Sequence, residues 1–329
     1  MAGLLSVGYA KLKARLPPRR LLPFVFALEL AGCASAADYA PLMASFSDAT
    51  SKAQVALETY DMAAAQRFTQ LRVQQAIARP VGVRPPDGDC ETGAMRCRIL
   101  LYEMPNDPAP APLTIESLAP NHIAAMRAVA AYAKALQDVA QADATPAIKA
   151  AADRAGAAIA GLSTIISPPA ATVVTPFVAP IANAVAFSYS KYQEQMKLSA
   201  LRNASTAMGP VLTDAARRFG TIARYVSTAD LTRLVADLDM RRAAFDASPS
   251  DGSLQALLAS AGRLDQALAA RPQEVFANLG AAHDELTRAL NSPADFSWQL
   301  AYQRIDRLAS DAQTLQSIAA SFLAAANMR

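Results

Sequence analysis

Residues 39–71, YAPLMASFSDATSKAQVALETYDMAAAQRFTQL, set the architecture. Tyr39, Leu42, Phe46, Ala49, Ala53, Leu57, Tyr60, Ala64, Phe68 and Leu71 recur at spacings of three and four. On a helix of 3.6 residues per turn these positions share one side, whereas on a strand they would scatter over both faces. The stripe is heptad-like and predicts one long helix that ends before Pro80. Such a helix runs roughly 50 Å, longer than a compact domain is wide. The expected fold is therefore all-α: an elongated multi-helix bundle with long antiparallel helices.

Composition agrees with that class. The hydrophobic fraction is 53%, much of it alanine, the best helix former, and only 13 glycines occur in 329 residues. After residue 114 the helical pattern resumes. Ile123, Met126, Val129, Ala133, Leu136 and Ala140 form one face. Thr145 followed by Pro146 reads as an N-cap with a first-turn proline, opening a helix with Ile148, Ala152, Ala155, Ile159, Leu162 and Ile166 that Pro168-Pro169 stops. A further helix is expected from near Pro180 to Gly209-Pro210, where a kink or break is predicted. Ser227-Thr228 reads as the cap of a helix carrying Leu231, Leu234, Leu238 and Phe245, with a turn at Ser248-Pro249-Ser250-Asp251-Gly252. Helices near 253–270, 272–291 and 294–327 complete the chain.

Residues 80–114 interrupt the helices with seven prolines and two cysteines, Cys90 and Cys97. Arg98-Ile99-Leu100-Leu101-Tyr102 is a strand candidate, and Val81-Gly82-Val83 can pair with it. The expected element is a small β-hairpin or loop insertion, serving either as a binding loop or as a connector.

The leader precedes all of this. Lys11, Lys13, Arg15, Arg19 and Arg20 are followed by the mostly apolar run Leu21 to Leu30, too short to span a membrane as a helix. Leu30-Ala31-Gly32-Cys33 then resembles the lipobox of bacterial lipoprotein signal peptides, with small residues ahead of the cysteine. The resemblance implies cleavage before Cys33 and acylation of that residue. More than one chain matters, since each buried methylene adds about 0.8 kcal/mol and a single chain holds only marginally. Ala34, in place of an aspartate, implies export to the outer membrane, with the protein facing the periplasm. In that oxidising compartment Cys90 and Cys97 read as a disulfide tying the hairpin, contributing about 2–3 kcal/mol. The domain reading is a signal peptide over 1–32, a lipid-anchored first helix over 33–79, a stapled Pro-rich hairpin over 80–114, and a bundle over 115–329 that packs with 33–79.

Charge and motifs narrow the function. The leader holds five of the 31 basic residues and one of the 28 acidic ones, leaving 26 against 27. The sequence pI of about 8.8 therefore belongs to the leader, and nothing argues for nucleic acid. The two histidines, His122 and His283, leave no His-rich metal site. In His283-Asp284-Glu285 consecutive helical residues point about 100° apart, so a surface or cap role is expected. No HExxH, GxSxG or phosphate-binding glycine loop is present, and no cofactor is expected. Asp237, Asp239, Arg241 and Arg242 read as a solvated face. Trp298 with Phe296 and Tyr302 reads as core or as a partner patch.

One segment stands apart. Residues 155–190 contain no Asp, Glu, Lys or Arg, in a chain that is 18% charged. Val174, Phe177, Val178 and Ile181 at its centre are candidate membrane or partner contacts. The prolines divide it into pieces shorter than the roughly 20 residues a spanning helix needs, which favours a buried bundle tip. The expected role is non-catalytic: a spacer or partner-binding bundle, tethered by lipid and engaging an envelope protein. Membrane insertion through 155–190 is the alternative.

Overall fold

A computed structural model describes residues 35–78, 82–84, 100–102, 111–112, 117–166, 189–293 and 296–327. Seven helices lie among the described residues: α1 (Ala36–Ala78), α2 (Pro120–Gln141), α3 (Thr145–Ile166), α4 (Tyr189–Ala247), α5 (Asp251–Ala269), α6 (Pro272–Asn291) and α7 (Trp298–Asn327). The protein is all-α, with one small sheet among the described residues. Its strands β1 (Gly82–Arg84), β2 (Leu100–Tyr102) and β3 (Ala111–Pro112) are antiparallel in the order β1-β2-β3, with Val83 opposite Leu101. Cys90 and Cys97 lie outside the described residues, as do Leu30, Ala31, Gly32 and Cys33.

The stripe on α1 is buried from Tyr39 through Ala64, and Met43, Ala56, Ala63 and Ala65 widen it beyond a two-position heptad seam. That breadth has a cause: α1 packs on α7 at one side and on α2 at another, with lesser contacts to α4 and α6. Tyr39 stacks on Trp298 near the start of both α1 and α7, and Arg67 lies over Phe322 near the end of both, so these two helices run parallel. Helix α4 shares their direction, with Glu194 at Ala36 and Asp230 at Arg67. Helices α2 and α6 run the other way: Arg127 pairs with Glu58, and the Tyr39 hydroxyl donates to the Ala289 carbonyl at 3.2 Å. Tyr39, Phe46, Tyr132, Leu136, Leu162, Met208 and Phe276 are among the fully buried side chains of the core.

Local chemistry marks the helix starts. Pro120 and Pro272 occupy first-turn positions, where a missing N–H costs nothing. Ser250 caps α5 in a reciprocal box with Ser253, so the turn is confined to 248–250, and Asp251 and Gly252 already belong to the helix. Ile148 donates to the Ala144 carbonyl, which places Thr145 inside the first turn of α3 rather than at its cap.

Two expected boundaries are absent. Helix α4 runs unbroken for 59 residues, about 88 Å of helix, through both Gly209-Pro210 and Ser227-Thr228. Burial explains the first: Ala204, Met208, Leu212 and Ala215 are all buried on one side of α4, so packing straddles the proline. The Thr213 hydroxyl also donates to the Gly209 carbonyl at 2.9 Å. At the second, Thr228 turns its hydroxyl back to the Arg224 carbonyl, an interior use of a residue type that otherwise caps. Ser227 is buried. Among the described residues α4 starts at Tyr189, and the expected start near Pro180 lies outside them.

Candidate functional site

Among the described residues, three polar arrangements inside the bundle and two kinds of exposed surface are candidates for chemistry or binding. His283 of α6 is buried, not at the surface as its acidic neighbours suggested. Its Nε2 lies 3.0 Å from the Tyr132 hydroxyl of α2, and its ring packs near Phe46. Burial lowers the imidazole from its ordinary 6.5 to about 4 and raises the Tyr132 phenol well above its usual value. The Nδ1 atom has no hydrogen-bond partner. His122 of α2 sits edge-on to Phe219 at 4.7 Å and beside Phe276, and burial lowers it to about 4 as well. Both rings are neutral aromatic components of the core at pH 7. Among the described residues no cluster of three or more His, Cys, Asp or Glu is placed to hold a metal ion.

The second arrangement is an ion pair. Arg67 of α1 grips Asp230 of α4 with two parallel bonds, Nε to Oδ1 at 3.0 Å and Nη2 to Oδ2 at 2.7 Å. The guanidinium also lies 4.2 Å from the centre of the Phe322 ring. Burial, followed by the nearby Asp230 charge, pushes the Tyr60 phenol up to about 12. A pair so enclosed fixes α1, α4 and α7 in one register and leaves no group free for acid–base work.

The third is a hold on a helix entry, supplied from a distance. Helix α2 has Ala119 at its N-cap position, with no side chain to cap it. Asp61 of α1 instead holds the entry to the helix, accepting the N–H of the N-cap residue Ala119 and of Leu118 before it, at 3.0 and 3.1 Å. Burial raises its carboxyl, opposed by hydrogen bonds from Ser117 and these two amides. Asp237 has a similar structural role between α4 and α5, bonded to Ser260 at 2.7 Å and Arg263 at 2.8 Å. The face expected to be solvated is, at Asp237, a helix–helix contact.

The exposed apolar surface is concentrated on the second half of α4 and on α5. Ile222, Tyr225, Val235 and Met240 project from α4, with Tyr225 75% exposed and Met240 61% exposed. On α5, Leu254, Leu258 and Leu268 are exposed, Leu258 at 62%. Ile222, Tyr225, Ala229, Thr232, Ala236 and Met240 follow the three-and-four spacing on the side of α4 opposite Ala223, Ser227, Asp230 and Leu234, which are buried. Of the positions expected to line this stretch, Leu234 is buried while Leu231, Leu238 and Phe245 are half-buried, and the outward stripe runs beside them at the same spacing.

At the opposite end of the bundle Trp298 is 41% exposed. Its ring lies 5.5 Å from that of Tyr39 and 5.1 Å from that of Phe296. Tyr302 is half-buried, so the trio is neither core nor an open patch, and Tyr39 completes it from α1. A shallow groove of about 550 Å³ between α6 and α7 is lined by Glu274, Asn278, Gln303, Arg304 and Arg307. Its polar groups are largely engaged, Glu274 with Arg271 and Arg307 with Asp311.

Val174, Phe177, Val178 and Ile181 lie outside the described residues. The described part of the uncharged segment is packing material: Ala155, Ile159, Leu162 and Ile166 are buried in α3. No helix among the described residues is long and apolar enough to cross a membrane. No family model matches the chain, and neither the curated proteins nor the solved structures give a match.

Proposed function

We propose that the chain is a non-catalytic lipoprotein of the bacterial envelope whose bundle holds or spaces a partner protein. On this reading it is cut before Cys33, acylated there and carried to the outer membrane, facing the periplasm. Cys90 and Cys97 join as a disulfide across the β1–β2 connection, and α4 with α5 gives the bundle an elongated form.

The observation that carries the partner role is the apolar surface of α4 and α5. The bundle buries one side of each helix and leaves Tyr225, Met240 and Leu258 facing outward. Single exposed apolar residues are ordinary, but Ile222, Tyr225 and Met240 on one helix and Leu254, Leu258 and Leu268 on the next, each set at helical spacing, make the kind of face that protein partners cover. The Arg67–Asp230, Tyr132–His283 and Asp237–Ser260 pairs support the same reading, since each joins two helices rather than converging on a cleft.

Photo-crosslinking in the native cell tests it. A benzophenone side chain placed at Tyr225, Met240 or Leu258 is expected to give one shared adduct of discrete mass, absent when it is placed at Gln303 in the α6–α7 groove. Equal labelling at all four positions, or none at the first three, would overturn the partner surface. Palmitate incorporation that depends on Cys33 checks the tether, and non-reducing mass spectrometry of the 90–97 peptide checks the disulfide.

A further inference from the structure

We infer that the aromatic tip made by Trp298 and Phe296 rests in the lipid headgroup layer beside the acyl chains. The inference deepens the tether reading above and rests on it. The argument begins with chain length. Cys33 is three residues ahead of Ala36, where α1 begins. Three fully extended residues reach at most about 11 Å, so an acylated Cys33 holds the first turn of α1 within that distance of the bilayer surface. Helix α1 cannot be held off by a flexible spacer.

The residues that share this end of the bundle are therefore the ones that meet lipid. The Ala36 N–H donates to Glu194 at 2.8 Å, so the start of α1 is fixed to α4. Tyr39, one turn on, is buried, with its hydroxyl turned inward to Ala289. Its ring is covered by Trp298, the first residue of α7. Helical side chains lean toward the N-terminus, so a residue at this position projects off the end of its helix. The Ser297 hydroxyl accepts the Leu300 N–H at 3.3 Å and fixes that first turn. Phe296 then packs its ring edge against the indole.

The chemistry suits a headgroup layer. An indole is a large apolar ring with one N–H donor, and it favours the boundary between hydrocarbon and water. Glu194, which holds the start of α1, is paired with Lys197 at 2.9 Å, and the two rings carry no charge, so apolar contact supplies the preference. A zwitterionic bilayer should suffice.

The chain has one tryptophan, so its fluorescence reports this site alone. Full-length protein, processed in the cell and purified in detergent, is reconstituted into phosphatidylcholine vesicles carrying bromine on the acyl chains near the headgroup. Emission from Trp298 is expected to fall at least twofold against unbrominated vesicles, and to be less quenched by acrylamide than in Cys33→Ala protein free in solution. Phe296→Asp should at least halve the bromine quenching while leaving the protein vesicle-bound. Acylated, vesicle-bound protein with unquenched emission would overturn the docking and leave the tether standing. A Cys33 peptide of unmodified mass would overturn both. A crosslink from position 298 to an envelope protein, with no bromine quenching, would assign the tip to a protein partner and likewise overturn the proposal.

Discussion

Helices α5 and α6 are consecutive and of nearly equal length (19 and 20 residues), with α6 the more amphipathic, and their fates differ. Helix α6 has ten buried residues, whereas α5 has two, Ser260 and Ala267. The difference lies in neighbours as well as in pattern. Helix α6 packs against both α4 and α7 and touches α1; α5 leans on α4 and reaches α7 only at its edge, where Ser321 bonds Gln266. A helix acquires burial from what surrounds it, and most helical stability in proteins comes from such packing. The region around α6 is accordingly where stability is concentrated, and α5 is where surface is available for another molecule.

Acid should expose that contrast most strongly. Unfolded imidazoles take up a proton as the pH falls through about 6.5, whereas His283 in α6 and His122 beside it resist until about 4. The stability of the neutral buried rings is thus fully present above pH 6.5 and is lost as the pH falls toward 4. At about 1.4 kcal/mol per pH unit, that span amounts to about 3 kcal/mol for each ring. Urea unfolding between pH 7 and 4.5 should show the decline, and His122→Leu should roughly halve its slope. A flat profile would mean that the rings are not buried in neutral form.

Truncation comes next in size. Phe276 is fully buried among Phe219 and His122, and Phe276→Ala should cost about 3–5 kcal/mol through lost transfer energy and the cavity left behind. Calorimetry should show a fall in Tm of about 5–8 °C. A loss under about 1 kcal/mol would mean that the region around α6 is no more tightly packed than α5.

The distant hold on the entry to α2 is a smaller term. Asp61→Ala leaves the Leu118 amide without its acceptor and the Ala119 amide with Ser117 alone, and should cost about 1–2 kcal/mol. Hydrogen exchange should speed up first at the start of α2.

What was legible in the sequence follows the same division. The stripe on α1 could be read because burial on one side repeats with the helical period and needs no knowledge of neighbours. The start of α6 could be read because Pro272 is a local signal. The continuity of α4 could not: Pro210 and Ser227-Thr228 are local stop signals, overridden by packing on other helices, such as the Arg67–Asp230 contact 163 positions apart. His283 was misplaced for the same reason, since its acidic neighbours lie on other faces of the helix and Tyr132 is 151 positions distant. Asp61 gave no signal at all, because the helix whose entry it holds starts 59 residues later. The outward stripe on α4 was readable, but a helix is ordinarily credited with one apolar side.

The smallest expected effect on stability sharpens the contrast furthest. Leu258 is 62% exposed on α5, and Leu258→Ser should change the unfolding free energy by no more than about 0.5 kcal/mol. If α5 is a face kept for a partner, the same substitution, combined with Tyr225→Ser, should abolish the adduct formed from a photo-crosslinker at Met240. Stability and binding then separate: Phe276→Ala lowers Tm and leaves the adduct of the surviving folded protein intact, while the surface pair does the reverse. Should Leu258→Ser instead cost as much as a core truncation, α5 would be part of the packed body, and its exposed leucines would have to be covered within this chain.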